Sequence, residues 1–215
     1  MKVRPIILNA DMVRAVLNGS KTQTRRIIKP QPFDRSWAGH DHQIEIASGR
    51  AENGDEIDGL LAYTKSSGGE WHAFCPFGQP GDRLWVREAF AAFDADWCFP
   101  GRPHDLKDGP WPNIIYPADG GKELPKGSCR PSIHMPRWAS RIALEITGVR
   151  VEPLASVSTG DARAEGYPAE RAADGGPLDA WLWFRDLWDG IYPEQSFKVN
   201  PWVWVIEFQR VDGEK

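Results

Sequence analysis

The sequence predicts an α+β domain: short strands, far apart along the chain, folded into a small mixed or antiparallel β-barrel with peripheral helices. Three observations predict it. Apolar residues alternate with period two near residues 141 and 202, short strand-forming runs stand at 3 and 83, and a helical period appears at 11–18 and 178–190. The resulting order, β, α, β, β, α, α, β, lacks the strict alternation that a doubly wound parallel sheet needs. Two long tracts, at about 29–80 and 94–128, are rich in Pro, Gly, Ser and acidic residues, which marks them as irregular insertions in one domain spanning 1–215.

Each element has a local reason. Val3 to Leu8 is a short apolar run and reads as a strand. Asp11 offers an N-cap to a helix carrying Val13, Val16 and Leu17 at helical spacing, and Gly19 stops it, so that 20–26 leave in a new direction. Within the first insertion only Ile57 to Tyr63 suggests order. Pro80-Gly81-Asp82 turns the chain into the strand Arg83 to Glu88. From Arg141 to Val151, Ile142, Leu144 and Ile146 alternate with Ala143, Glu145 and Thr147, with a turn expected at Gly148. Ser158-Thr159-Gly160-Asp161 resembles a capping box and opens a two-turn helix closed by Gly166. Leu178, Trp181, Phe184, Leu187 and Trp188 form the apolar stripe of a helix ending near Gly190, and Trp202, Trp204, Ile206 and Phe208 give the last strand a strongly apolar face.

Composition narrows the function classes. A chain of 215 residues with 41% hydrophobic content buries a real core. There is no run of eighteen apolar residues and no leader-like N-terminus, so no membrane span is expected and a cytoplasmic location is. Cys75, Cys98 and Cys129 are odd in number and widely spaced, which fits a reducing compartment. The net charge of -4 hides an asymmetry, for residues 1–30 carry Lys2, Arg4, Arg14, Lys21, Arg25, Arg26 and Lys29 against Asp11 alone. Of the eleven tryptophans, Trp85, Trp181, Trp188, Trp202 and Trp204 lie in periodic segments and belong to the core. Trp37, Trp71, Trp97, Trp111 and Trp138 lie in irregular ones and are free to stack on a ligand.

No nucleotide-phosphate loop of either common type is present, so neither ATP nor NAD is expected. Ligand-type residues at His40-Asp41-His42, at His72 with Cys75, and at Cys98 with His104 lack paired metal spacing, and neither metal nor cofactor is expected.

The densest chemistry lies in Gly19-Ser20-Lys21-Thr22-Gln23-Thr24-Arg25-Arg26, a helix-ending glycine followed by an amine, two threonines and two guanidinium groups. A threonine hydroxyl needs an adjacent base to act as a nucleophile at neutral pH, and a lysine whose pKa is lowered by burial or neighbouring cations supplies one. Period two sets a condition: in a plain strand residues 21 and 24 face opposite ways, so the pair needs a turn or bulge between them. The plainer alternative is a solvated basic edge with β-forming threonines.

This stretch resembles the ASCH signature, with Gly19, Lys21 and Arg26 at its fixed places. Arg83 to Glu88 and Val203 to Phe208 look like strand segments of that group, and Arg130 to Arg141 resembles its larger, phage- and prophage-associated branch. The resemblance covers about half the chain as scattered blocks, the two insertions lying outside it. It implies a PUA-like barrel that holds RNA or a nucleoside in a cleft. Within the group it points to an amidohydrolase acting on N4-acetylcytidine, whose Gly-x-Lys-Thr-x-Thr-x-Arg stretch corresponds to Gly19, Lys21, Thr22, Thr24 and Arg26. The implied roles are Thr24 as nucleophile, Lys21 as its base and Glu165 as proton donor.

Arg25, Arg26, Arg87 and Glu88 are expected to line the cleft, with Glu88 the other candidate acid. His134, Arg137 and Trp138, flanked by Arg130 and Arg141, suit phosphate contact plus stacking. Two rival functions remain beside hydrolysis: a module that binds RNA or a modified nucleotide without chemistry, and a metal-independent ribonuclease.

Overall fold

The computed structural model describes residues 1–32, 44–50, 56–64, 71–102, 105–106, 109–121 and 123–211. Its main sheet is mixed and five-stranded. In chain order the strands are β1 (Val3–Ile7), β2 (Gln23–Ile27), β6 (Arg83–Arg87), β9 (Ala143–Pro153) and β10 (Trp202–Val211), and in space they run β1-β6-β9-β10-β2. β1 pairs with β6 in parallel and every other pairing is antiparallel. The expected barrel is not closed by backbone pairing, since β1 and β2 are the two edges. A side chain bridges them: Arg26 on β2 donates through Nη2 to the carbonyl of Ile7 on β1 at 2.8 Å.

β10 has both faces buried, which sets the side on which its neighbours' residues lie. Trp204, Ile206 and Phe208 join Ile6, Leu8, Val13, Leu84 and Leu144 in the main core. Val203 and Val205 face a second core built with Ala162, Phe184 and Trp188 from α2 (Thr159–Ala164) and α4 (Asp179–Ile191). In register, Thr24 lies opposite Ile206, Arg26 opposite Trp204 and Arg25 opposite Val205. Period two therefore turns Thr24 and Arg26 toward the main-core side and Arg25 toward the helices.

Several expectations change. α1 (Ala10–Leu17) is capped by Asn9, whose side chain accepts from Met12 N at 2.8 Å; Asp11 sits in the first turn instead. The first insertion holds a three-stranded antiparallel sheet of β3 (Ile44–Arg50), β4 (Glu56–Thr64) and β5 (His72–Phe74), and its apolar side packs on the main core. The second tract contributes β8 (Asn113–Ile115), paired with β7 (Ala91–Phe93) over a third small core that includes Trp111 and Trp138. β9 is not split at Gly148; a register shift opposite Glu207 and Phe208 leaves Thr147 as the extra residue of a bulge. An unforeseen short helix, α3 (Ala169–Asp174), precedes α4, while the capping box of Ser158 and Asp161 is present as read.

Trp71 packs against the main core, so among the tryptophans of irregular tracts within the described residues only Trp97 stands well exposed, at 55%. Trp37, His40, Asp41, His42 and His104 lie outside the described residues. No helix among those described is long and apolar enough to cross a membrane.

Candidate functional site

Backbone contacts fasten the turn after α1 both to α1 itself and to the end of α2. Lys21 N donates to Ala15 O and Thr22 N to Ala164 O, each at 2.9 Å, and Lys21 forms an isolated antiparallel bridge with Glu165. Close approach needs glycine at 166: its φ is +100°, and a Cβ there would come within 2.8 Å of the Ala15 Cβ and 3.2 Å of the Lys21 Cβ. Lys21 precedes β2, and with Gln23 and Arg25 it bonds the Glu165 and Asp161 side, whereas Thr24 faces the main-core side.

The Lys21 ammonium, fully buried, donates to the Glu165 carboxylate at 2.7 Å and to its backbone carbonyl at 2.8 Å. Arg25 Nη1 reaches the other carboxylate oxygen at 3.1 Å. Burial drives the Lys21 pKa down; the charge and hydrogen bond of Glu165 oppose this, and Arg26 and Arg25 add to the depression. Beyond them the network widens: Arg25 Nη2 donates to Glu152 at 2.7 Å and lies 3.5 Å from Asp161. Arg150 joins Glu152, Asp161 and Glu207, and Gln23 donates to Asp161 at 3.1 Å. Burial works to raise the Asp161 pKa, but bonds from Ser158 and Gln23 and the charge of Arg25 hold it well below the ordinary aspartate value.

Thr24 is buried, and its hydroxyl accepts from Arg26 Nη1 at 3.1 Å. It shares with Arg25, Arg26 and Glu165 a small hollow that Met12, Phe184, Trp188 and Tyr192 also line, whereas Lys21 sits behind the carboxylate. Space in that hollow is about 10 Å³, room for roughly one water. Arg26, Ile191 and Tyr192 also belong to an open cleft of about 680 Å³. Lys29, Trp204, Phe74 and Phe77 line it as well, the last two coming from β5 and the loop after it, so the first insertion supplies one wall.

The remaining expected residues lie elsewhere. Gly19, at φ +81°, ends α1 and Thr22 links the turn to α2 through its backbone, and neither lines the cleft. Glu88 is buried away from Glu165 in its own cluster. Arg141 Nε and Nη2 grip its carboxylate at 2.9 and 3.1 Å, bind Asp119, and stack on Tyr116 at 3.9 Å from the ring centroid. Burial raises the Glu88 pKa, opposed by Arg141, and pushes the Tyr116 phenol up to about 12. Trp138 is not free to stack, since its indole N–H donates to Leu106 O at 3.2 Å and its ring packs in the third core. His134 and Arg137 are exposed, and Arg87 donates to Ile133 O.

Missing from the sequence reading were Glu152, Asp161 and Gln23, and the aromatic walls from Phe74, Phe77 and Tyr192. One signal was available. An arginine alternating into an apolar strand must find carboxylates, and Glu152 stands just past the predicted strand Arg141 to Val151.

No protein-family model matches the chain, and no curated protein does. Among solved structures, it is similar to an ASCH domain from Lactobacillus crispatus JV V101, determined at high resolution by crystallography. The identity is 11%, over 97% of this chain and 79% of that one, with a TM-score of 0.38. That domain carries the name of the group whose signature Gly19, Lys21 and Arg26 resemble.

Proposed function

We propose that the protein binds a nucleoside or RNA unit in the cleft and hydrolyses an acyl group from the exocyclic nitrogen of a cytosine or related base. The observation that carries this reading is the direct bond between the Lys21 ammonium and the Glu165 carboxylate beside the hollow that Thr24 lines. Burial lowers the Lys21 pKa, and the short bond to Glu165 is the path along which the proposed mechanism moves one proton.

In that form Lys21 takes the hydroxyl proton of Thr24, whose oxygen attacks the amide carbonyl. The C–N bond breaks as Glu165 protonates the departing amine. Water then attacks the ester, its proton goes to Glu165, and Lys21 returns a proton to the threonine oxygen. The sum is amide plus water giving carboxylic acid plus amine. Arg26, already bonded to the Thr24 hydroxyl, favours the developing alkoxide. Tyr192 and Ile191, common to hollow and cleft, are the side chains that must part for the acyl group to enter.

The test is incubation with N4-acetylcytidine and its longer acyl analogues, followed by chromatography for cytidine. Wild type releases it and Thr24→Ala, Lys21→Met and Glu165→Gln do not; no release by wild type, or full release by Thr24→Ala, overturns the reading.

A second reading, a binding module without chemistry, is favoured by the small volume beside Thr24 and by the Lys21 ammonium being spent wholly on Glu165. Cytidine monophosphate binding that survives Thr24→Ala, with no turnover of any acylated cytosine, selects it.

A further inference from the structure

Three consecutive residues of β2, Thr24, Arg25 and Arg26, line the small hollow, although their side chains alternate between the two faces of the sheet. A space that touches all three lies along the free edge of β2, which is an outer strand of the main sheet. The register agrees. Thr24 and Arg26 turn their backbone groups toward β10, in step with the bonds from Phe208 N to Thr22 O and from Ile28 N to Trp202 O, so the N–H of Arg25 points off that edge. Arg26, Ile191 and Tyr192 are shared with the open cleft and form the mouth of the hollow, whereas Thr24, Arg25, Glu165 and Phe184 form its inner end.

The inner end carries a donor without a use. Arg25 spends Nη1 on Glu165 at 3.1 Å and Nη2 on Glu152 at 2.7 Å, and its guanidinium lies over the Phe184 ring at 5.6 Å. Its Nε is buried and has no partner among the described residues, in a residue only 2% exposed. Trp71, Arg87 and Arg130 also carry an unpaired buried nitrogen, but none of them lines the hollow or the cleft. An orphaned buried donor costs about 1–3 kcal/mol, so the adjoining space of about 10 Å³, room for one water, is where its partner belongs. The other polar groups of the inner end suit the same water. Thr24 accepts from Arg26 and keeps its own proton to give, while Glu165, bonded at one oxygen to Lys21 and at the other to Arg25, keeps lone pairs to receive. About three partners is usual for a buried water.

We infer that one water resides at the inner end, accepting from Arg25 Nε and the Thr24 hydroxyl and donating to the Glu165 carboxylate, and that this water releases the acyl group from Thr24. Arg25 is then a positioning residue for the second half of the reaction. The inference rests on the hydrolytic reading above and adds which water is used and what holds it. In the step itself the water oxygen bonds to the ester carbonyl carbon, and its proton passes to Glu165. The bond from that carbon to the Thr24 oxygen breaks, Lys21 protonates that oxygen, and a carboxylic acid departs. Because the water touches the oxygen that carries the acyl group, it starts within reach of the carbonyl and need not pass Ile191 and Tyr192 while the cleft is filled.

Two measurements test this, and the first needs no variant. A high-resolution crystal structure of wild type should show an ordered water within hydrogen-bonding distance of Arg25 Nε, Thr24 Oγ1 and the Glu165 carboxylate; a hollow with no water in it, or Arg25 Nε bonded to a protein group, overturns the site. The second uses Arg25→Lys, which keeps a cation for Glu165 and removes Nε. With N4-acetylcytidine this variant should release a single equivalent of cytidine at the wild-type rate and then slow by about a hundredfold. Its mass should meanwhile rise by an acetyl group on the peptide that holds Thr24, and hydroxylamine, which attacks the ester unaided, should restore turnover. Loss of the fast first turnover as well, or slow turnover without acetylated protein, overturns the role of Arg25, because a merely structural part damages both halves. No cytidine from wild type overturns the hydrolytic reading and with it the water's role, but not the water site that the crystal structure tests.

Discussion

Replacing Glu165 with glutamine should cost much more stability than replacing Lys21 with methionine, although the two side chains form one ion pair. Glu165 stands between two buried cations, 2.7 Å from Lys21 Nζ and 3.1 Å from Arg25 Nη1. Without its charge, Arg25 still has Glu152 at 2.7 Å, but Lys21 keeps only a backbone carbonyl at 2.8 Å. An uncompensated buried charge costs about 3–5 kcal/mol. Lys21→Met removes two charge-assisted bonds yet leaves Glu165 paired with Arg25 and fills the space with an apolar chain, for a cost of about 1–2 kcal/mol. With a urea m-value of about 2 kcal/mol/M, the midpoint of Glu165→Gln should fall by about 1.5–2.5 M and that of Lys21→Met by less than about 1 M.

A sign in pH accompanies this. The native Lys21 pKa lies below the ordinary 10.5, so between the two values the unfolded chain binds more protons and native stability rises with pH. Glu165 is what holds that pKa up against burial, so Glu165→Gln widens the window. Urea unfolding at about pH 7 and about pH 9 should show the variant recovering stability relative to wild type. Equal costs for the two substitutions, or a variant whose deficit grows as pH rises, would refute the reasoning.

Two further outcomes follow from the geometry. Gly166→Ala should cost about 2–3 kcal/mol by chemical denaturation, because its φ of +100° strains a side chain and its Cβ meets Ala15 at 2.8 Å; adding Ala15→Gly should restore only the steric part. With the Tyr116 pKa pushed up to about 12 by burial, the native state keeps its phenolic proton longer than the unfolded chain, so stability falls as pH rises above 10.0; Tyr116→Phe should flatten that fall in alkaline unfolding midpoints.

Elements whose partner is dictated locally were legible. Ser158 and Asp161 announce a helix start by three-residue spacing alone, and Trp202 to Phe208 announces a strand by alternation. In the first insertion the ordered piece read at Ile57 to Tyr63 is β4, but its partner β3, Ile44–Arg50, was not legible, because it is half-exposed and carries Ala, Ser and Gly where an alternating strand would carry branched residues. Its stability comes from pairing with β4 and packing on the main core, both properties of the assembled fold. The site shows the same division. Lys21 and Thr24 stand out as a local motif, while the Lys21 to Glu165 contact spans 144 positions and depends on the approach that Gly166 permits. Glu88 looked equally able to face the cleft, and what removed it was Arg141, whose two-point grip makes Glu88 part of a closed cluster with Asp119 and Tyr116.

The neighbours Arg25 and Arg26 show how one strand divides its labour. Period two sends Arg25 toward the helices, where water is excluded and a bare guanidinium would be prohibitively costly; three carboxylates, from Glu152, Asp161 and Glu165, meet it there. The same alternation sends Arg26 toward the cleft, where solvent meets the charge and only carbonyls and a hydroxyl fix its direction. Exchange of charge for orientation at Arg26 is what a ligand site requires, and exchange of solvent for carboxylates at Arg25 is what a rigid support requires. Two adjacent residues of identical chemistry thus come to opposite electrostatic states because the sheet has a buried face and an open one.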